Sequence, residues 1–225
     1  MATPALAARS SRVILDEQFF VYAARQLAGC DADLAAVIRK YGLPPLWKRE
    51  PGFPTLVYII LEQQVSLASA RALYQRLQEA VKPFTPGRFL KLTEPEMRRL
   101  GFSRQKTHYT RLLAEAIHRK QFALHKLHEL EDELAREQLI ALKGIGNWTA
   151  DIYLLSALRR PDIWPVGDLA LATAVQEVKR LRKRPSPEKL EMMSTPWRPW
   201  RAVAARLFWH AYLSKRGQRS AAVSL

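Results

Sequence analysis

Apolar positions recur along this chain at the spacing of amphipathic helices. Tyr109, Leu112, Leu113, Ala116 and Ile117 fall three and four residues apart, as do Val203, Leu207, Ala211 and Tyr212. Alternating apolar and polar runs joined by Asn-Gly or Asp-Gly turns are absent from the sequence. Proline and glycine break the pattern at Gly42-Leu43-Pro44-Pro45, Pro51-Gly52-Phe53-Pro54, Lys82 to Gly87, Gly101-Phe102-Ser103 and Pro165-Val166-Gly167. A capping residue followed by proline marks helix starts at Thr85-Pro86, Ser186-Pro187 and Thr195-Pro196. The spacing predicts about ten helices, most of them short, in an all-α chain without a solenoid repeat.

Composition narrows the class. At 225 residues and 48% hydrophobic, the chain has enough apolar material for a true core, in one large domain or two small lobes. Lys plus Arg outnumber Asp plus Glu by 36 to 21, a net charge of +15 spread through the sequence rather than held in a tail. That distribution points to a polyanion partner. The lone Cys30 excludes an internal disulfide, a cysteine zinc finger and a four-thiolate iron–sulfur cluster, and it fits a reducing compartment. The apolar stretch from Phe53 to Leu61 is too short to span a bilayer. The first residues lack the apolar segment of a secretory signal, so a flexible N-terminus and a cytoplasmic protein, nucleoid-associated if bacterial, are expected.

The run from Leu139 to Val175 carries the chemistry. A Gly144-Ile145-Gly146 turn separates two helical patterns, and a single acid, Asp168, follows about twenty residues on, after Pro165-Val166-Gly167. A glycine turn opening a helix presents unpaired amides and the positive end of the dipole to a phosphate. A phosphate grip and an isolated carboxylate in a basic chain suggest chemistry on nucleic acid. Asp168 also suits a helix cap, a role compatible with catalysis because the cap orients the carboxylate. Asp151 is the rival acid and is expected to pair with a neighbouring base. His125 and His128 lack the further ligands of a tetrahedral metal site.

The segment Leu142-Lys143-Gly144-Ile145-Gly146-Asn147-Trp148-Thr149-Ala150, with Asp168 downstream, resembles the hairpin of the helix-hairpin-helix DNA glycosylases. The resemblance runs from about Leu15 to about Leu213. Strand-cutting members place a lysine nucleophile just after the hairpin; here Trp148 stands there, which implies a monofunctional glycosylase. Trp148, the Trp197-Arg198-Pro199-Trp200-Arg201 motif and the later Trp209 are similar to the 3-methyladenine DNA glycosylase II branch. Only about fifteen residues precede the core, so the extra N-terminal αβ domain that members of that branch can carry is expected to be missing.

The resemblance implies roles. Asp168 would be the catalytic carboxylate, stabilising an oxocarbenium-like sugar and orienting water. Trp148, Trp209 and Ile152 would line the base pocket, where an aromatic face attracts an alkylated, cationic purine; Ile152 stands where that branch can have a tyrosine. Lys143, Gly144, Ile145, Gly146 and Thr149 of the hairpin, Gln63, Gln64 and Ser66 of the minor-groove loop, and Arg104 and Lys106 would meet DNA. Gln64 would fill the gap left by the extruded base. No catalytic metal or redox cofactor is implied; the carbonyls of Leu142 and Ile145 resemble those that hold a structural Na+ or K+ in relatives.

The expected architecture is a two-lobed all-α glycosylase core with its active site in the cleft between lobes. Residues 15–213 would form it, with one lobe from about 54 to 160 and the other from 15–53 plus 161–213. A flexible 1–14 and a basic, fraying 214–225 would flank it. The expected partner is duplex DNA containing damaged bases, bound by a monomer away from membranes. Two alternatives stay open: a glycosylase for other damaged or mismatched bases, and a non-catalytic hairpin module that only grips phosphate.

Overall fold

The computed structural model describes residues 14–217, and every element in that span is helical. Twelve α-helices are present among the described residues, with 3-10 turns at Leu124–Glu129 and Thr195–Trp197. The excess over the expected ten comes from short pieces such as the four-residue helix Pro86–Phe89. The chain divides into two compact units, one made of Met1–Arg49 with Leu154–Leu225 and the other of Glu50–Tyr153.

The contiguous unit begins at α3 (Phe53–Glu62), in which every residue from Leu56 to Glu62 is buried. A helix apolar on all sides is a core helix, which accounts for the apolar Phe53–Leu61 stretch. Phe53, Phe84 and Phe89 pack edge to face and stacked around its start, with ring centroids 5.5–6.1 Å apart. The next four helices are α4 (Leu67–Ala80), α5 (Pro86–Phe89), α6 (Glu94–Leu100) and α7 (Arg104–His118). Their starts are capped by Ser66, Thr85, Thr93 and Ser103. Thr93 and Glu96 form a reciprocal capping box, and Gly101 ends α6 in the left-handed region. The unit closes with α8 (Asp132–Ile140) and most of α9 (Asn147–Ser156).

The other unit joins the two ends of the described chain: α1 (Glu17–Cys30) and α2 (Ala32–Tyr41) with α10 (Leu169–Val178), α11 (Pro187–Ser194) and α12 (Arg201–Lys215). Asp31 ends α1, caps α2 and accepts from Lys179 Nζ at 2.7 Å and the Trp197 indole at 2.8 Å. Trp164, Trp197 and Phe208 form its aromatic core. Arg206 is 0% exposed; its guanidinium donates to the carbonyls of Leu46, Leu155 and Ala202 at 2.8–3.0 Å. Burial pushes that guanidinium down to about 9.

Two expectations change here. Thr195-Pro196 does not start an α-helix: Thr195 ends α11 and opens a 3-10 turn capped by Ser194. The fraying tail expected from Ser214 does not start there: α12 continues through Lys215, and Lys215 and Arg216 both pair with Glu177. Residues 218–225 and 1–13 lie outside the described residues. Among the described residues no helix is long and apolar enough to cross a membrane.

Candidate functional site

The hairpin lies in the contiguous unit. The Ile145 amide donates to the Leu142 carbonyl at 3.1 Å, closing the turn, and Gly144 sits at φ +90°, a conformation that favours glycine. A Cβ on Gly144 would lie 2.2–2.6 Å from atoms of Tyr109, so that ring excludes any side chain there. Gly146 differs. Its φ is not positive, and a Cβ on it would meet no protein atom within 4 Å. The fold therefore does not demand glycine at 146, whereas close approach of a ligand to the backbone would. The Ile145 side chain is buried and its amide is used inside the turn, leaving Gly146 and the start of α9 as the amides suited to an anion. Lys143 is exposed beside them.

The loop after α3 reaches the same hairpin. Gln63 Nε2 donates to the Gly144 carbonyl at 3.0 Å and to Thr149 Oγ1 at 2.9 Å. Thr149 is 2% exposed, so its hydroxyl serves this contact inside the fold. Gln64 is exposed and held at φ +57°, an uncommon conformation for a residue with a side chain. Ser66 caps α4 through the Ser69 amide.

Arg104 opens α7, exposed, after the Ser103 cap. Lys106 is directed inward instead. Its ammonium donates to the Leu61 carbonyl at 2.6 Å, and burial holds it below the ordinary lysine value. A lysine so engaged satisfies a carbonyl at the end of α3, and sequence alone offers no signal for that partner, 45 residues away. Asp151 pairs with Arg136 at 2.7 Å, as expected of it. Trp148 and Ile152 lie on α9, Trp148 half-buried and Ile152 buried. Tyr153, next to Ile152, is turned to accept from the Gly52 amide at 3.0 Å, and burial raises its phenol to about 12.

The carboxylate lies in the other unit, which brings Asp168 and Trp209 together. Asp168 is the N-cap of α10, and its Oδ1 accepts from the Leu171 amide at 2.6 Å. The same oxygen accepts from the Trp209 indole at 3.1 Å. The cap orients the carboxylate, and the indole N–H fixes the edge of a half-buried aromatic ring against it. Trp47, Trp164, Trp197 and Trp200 are engaged in packing with His210, Phe208, Phe19 and one another.

Comparison with known proteins places this geometry in context. A family model described as HhH-GPD superfamily base excision DNA repair protein matches residues 57–199. The chain is 26% identical over 184 residues to a DNA-3-methyladenine glycosylase of Bacillus subtilis, covering 76% of this chain and 59% of that protein. It thus spans about three-fifths of that relative's length. The Schizosaccharomyces pombe 3-methyladenine DNA glycosylase Mag1, solved in complex with abasic DNA, superposes with a TM-score of 0.76 at 25% identity, covering 87% of this chain and 97% of that one. A DNA-3-methyladenine glycosidase from Bacillus halodurans gives 0.71 at 28% identity, covering 90% and 93%.

Proposed function

The chain belongs to the HhH-GPD superfamily of base excision DNA repair proteins, and from that premise we propose that it is a monofunctional DNA glycosylase removing alkylated purines from duplex DNA. The observation that carries the reading is the pairing of Asp168 with Trp209 at 3.1 Å. One group suits a cationic sugar, the other a cationic base, and a single hydrogen bond holds both.

The chemistry follows from the bond that breaks. Cleavage of the N-glycosidic bond leaves its electron pair on the base and positive charge on the deoxyribose. A carboxylate beside that charge stabilises it, and it can orient or deprotonate the water that adds to the sugar carbon. The oxygen of water forms the new bond to the sugar carbon, and one of its protons passes to the Asp168 carboxylate and on to solvent. The base, cationic before cleavage, departs as a neutral purine and leaves an abasic site. No electrons are exchanged with an acceptor, so the reaction needs no redox cofactor. Alkylation at a ring nitrogen makes the purine cationic, which weakens its bond to the sugar and attracts it to the Trp209 face.

The remaining roles are shared among groups already described. Gly146 and the start of α9 grip a backbone phosphate, with Lys143 and Arg104 adding charge. Gln64 occupies the gap left by the flipped base. Trp148 stands at the position of the strand-cutting lysine, so the enzyme lacks the amine for a Schiff base and releases an uncut strand. The main-chain oxygens of Leu142 and Ile145 are hard donors of the kind that suit Na+ or K+; such an ion would add positive charge beside the phosphate. The Mag1 complex with abasic DNA supports this reading through its likeness to the chain.

The test is a panel of duplex oligonucleotides, each with one damaged base, assayed for abasic-site formation. Release of 3-methyladenine or 7-methylguanine from the wild-type chain is the expected outcome. Release confined to oxidised or mismatched bases would replace the substrate class, and tight binding without release from any member would make the protein a DNA-binding module.

A further inference from the structure

We propose that Gln63 is a positioning residue that locks the Gln63–Ser66 loop to the phosphate-gripping hairpin, so that Gln64 is presented to DNA as a rigid extension of it. This rests on the glycosylase reading above. A glutamine amide has two N–H donors, and both are committed, at 3.0 Å to the Gly144 carbonyl and 2.9 Å to Thr149 Oγ1. Gln63 therefore has no amide proton left for a base or phosphate, and its function lies inside the protein.

The brace is anchored at both ends. On the hairpin side, Gly144 is wedged over the Tyr109 ring and Thr149 is buried, so neither acceptor can follow Gln63 outward. On the loop side, the Gln63 amide donates to the Ile60 carbonyl at 3.3 Å, and Lys106 holds the neighbouring Leu61 carbonyl at 2.6 Å. The end of α3 is thereby fixed from two directions. The next residue, Gln64, enters the left-handed region at φ +57° and is exposed. Strained backbone of this kind persists where its surroundings over-determine it, and Lys106, Gln63 and the Ser66 cap supply that determination on either side.

The consequence for function is preorganisation. A plug that is already rigid loses little conformational entropy when it replaces the flipped base. Coupling the plug to the hairpin also ties its position to the phosphate the hairpin holds.

Gln63→Met keeps the length of the side chain and removes both donors. Thr149→Val breaks one of the two contacts from the hairpin side and leaves Gln63 able to turn outward. In the DNA-free protein, amide hydrogen exchange should rise together at residues 63–66 and 144–147 in Gln63→Met, and less so in Thr149→Val. With a duplex carrying 2-aminopurine beside the lesion, base extrusion should fall roughly ten-fold in Gln63→Met, and Thr149→Val should fall in the same direction. Affinity for undamaged duplex should fall by less than about three-fold, because the phosphate-binding amides are loosened but keep their N–H groups and their place in the turn. Exchange rising at 63–66 alone overturns the brace. So does a silent Thr149→Val beside a collapsed Gln63→Met, which would mean that Gln63 touches DNA itself. If exchange rises at both segments but the wild-type chain extrudes no damaged base, the brace stands and the glycosylase reading fails.

Discussion

Trp209 donates its indole N–H to the same carboxylate oxygen of Asp168 that caps α10, at 3.1 Å, while the Leu171 amide reaches it at 2.6 Å. An asparagine keeps an oxygen in that place, so Asp168→Asn removes the charge and leaves both donors satisfied. Base release should fall on the order of 10³-fold, with duplex affinity near wild type. Single-turnover release and equilibrium binding measured on the same lesion duplex separate the two. A variant that releases methylated purine at the wild-type rate would rule out the carboxylate mechanism.

Trp209 should read charge. Trp209→Leu removes the aromatic face, which is worth roughly 0.5–2 kcal/mol to a cation. Its kcat/KM on a cationic 3-methyladenine substrate should therefore drop roughly ten-fold more than on neutral hypoxanthine. Trp209→Phe should recover part of that preference but not the hydrogen bond to Asp168. Equal losses on both substrates would show that the ring contributes packing alone.

The two hairpin glycines should fail differently. Gly144→Ala forces a methyl into Tyr109 on a backbone at φ +90°; the melting temperature should fall by several degrees and duplex binding with it, as expected for about 1–3 kcal/mol of strain. Gly146→Ala meets no protein atom within 4 Å, so its melting curve should overlay the wild type. Its duplex affinity should still fall roughly ten-fold if a phosphate approaches the backbone there. Unchanged affinity in Gly146→Ala would remove the phosphate from that position.

The hairpin turn and the Asp168 cap are legible in the sequence because each sits in a local pattern, a glycine pair and an acid after a Pro-Val-Gly break, whereas Trp209 is singled out only by resemblance. The partners that fix them are not legible. Gln63 reaches Gly144 across 81 positions and Lys106 reaches Leu61 across 45; the family resemblance assigns both to DNA, and no local pattern reveals an acceptor so distant in sequence. Thr149 misled for the same reason, a hydroxyl beside the hairpin that proves to be spent on Gln63. Arg206 gave no signal at all, since its three acceptors are backbone carbonyls, one of them 160 residues away.

Sodium borohydride traps a Schiff base between an amine and an opened sugar. With Trp148 at the lysine position, incubation with a lesion duplex and borohydride should leave no covalent protein–DNA adduct, and strands should break only after alkali. A trapped adduct would make the enzyme bifunctional and would send the search to another lysine.

Acid should weaken the unit that contains Asp31. Burial opposes the charge on this carboxyl, but hydrogen bonds from Lys179, Trp197 and the Leu34 amide outweigh it and hold the group below its ordinary value. A carboxyl depressed in the folded state contributes stability that is complete above its unfolded value, about 4, and is lost as pH falls through the folded value. Asp31→Asn should lower the melting temperature at pH 7 by several degrees, at roughly 2–4 °C per kcal/mol in a chain of this size. It should also flatten the decline below pH 4. A decline as steep as that of the wild type would assign the acid sensitivity to other carboxylates.

The division of the chain at Arg49 and Tyr153 has a consequence for how the protein comes into being. A ribosome finishes the contiguous unit, with its hairpin and brace, while the other still lacks α10, α11 and α12. Asp31 waits 166 positions for Trp197, and Leu46 waits 160 for Arg206. Closures that long are entropically slow. On the reading proposed above, the nascent chain would hold the hairpin before it owns Asp168 and Trp209, so synthesis itself sets the order in which the two parts of the proposed site are completed.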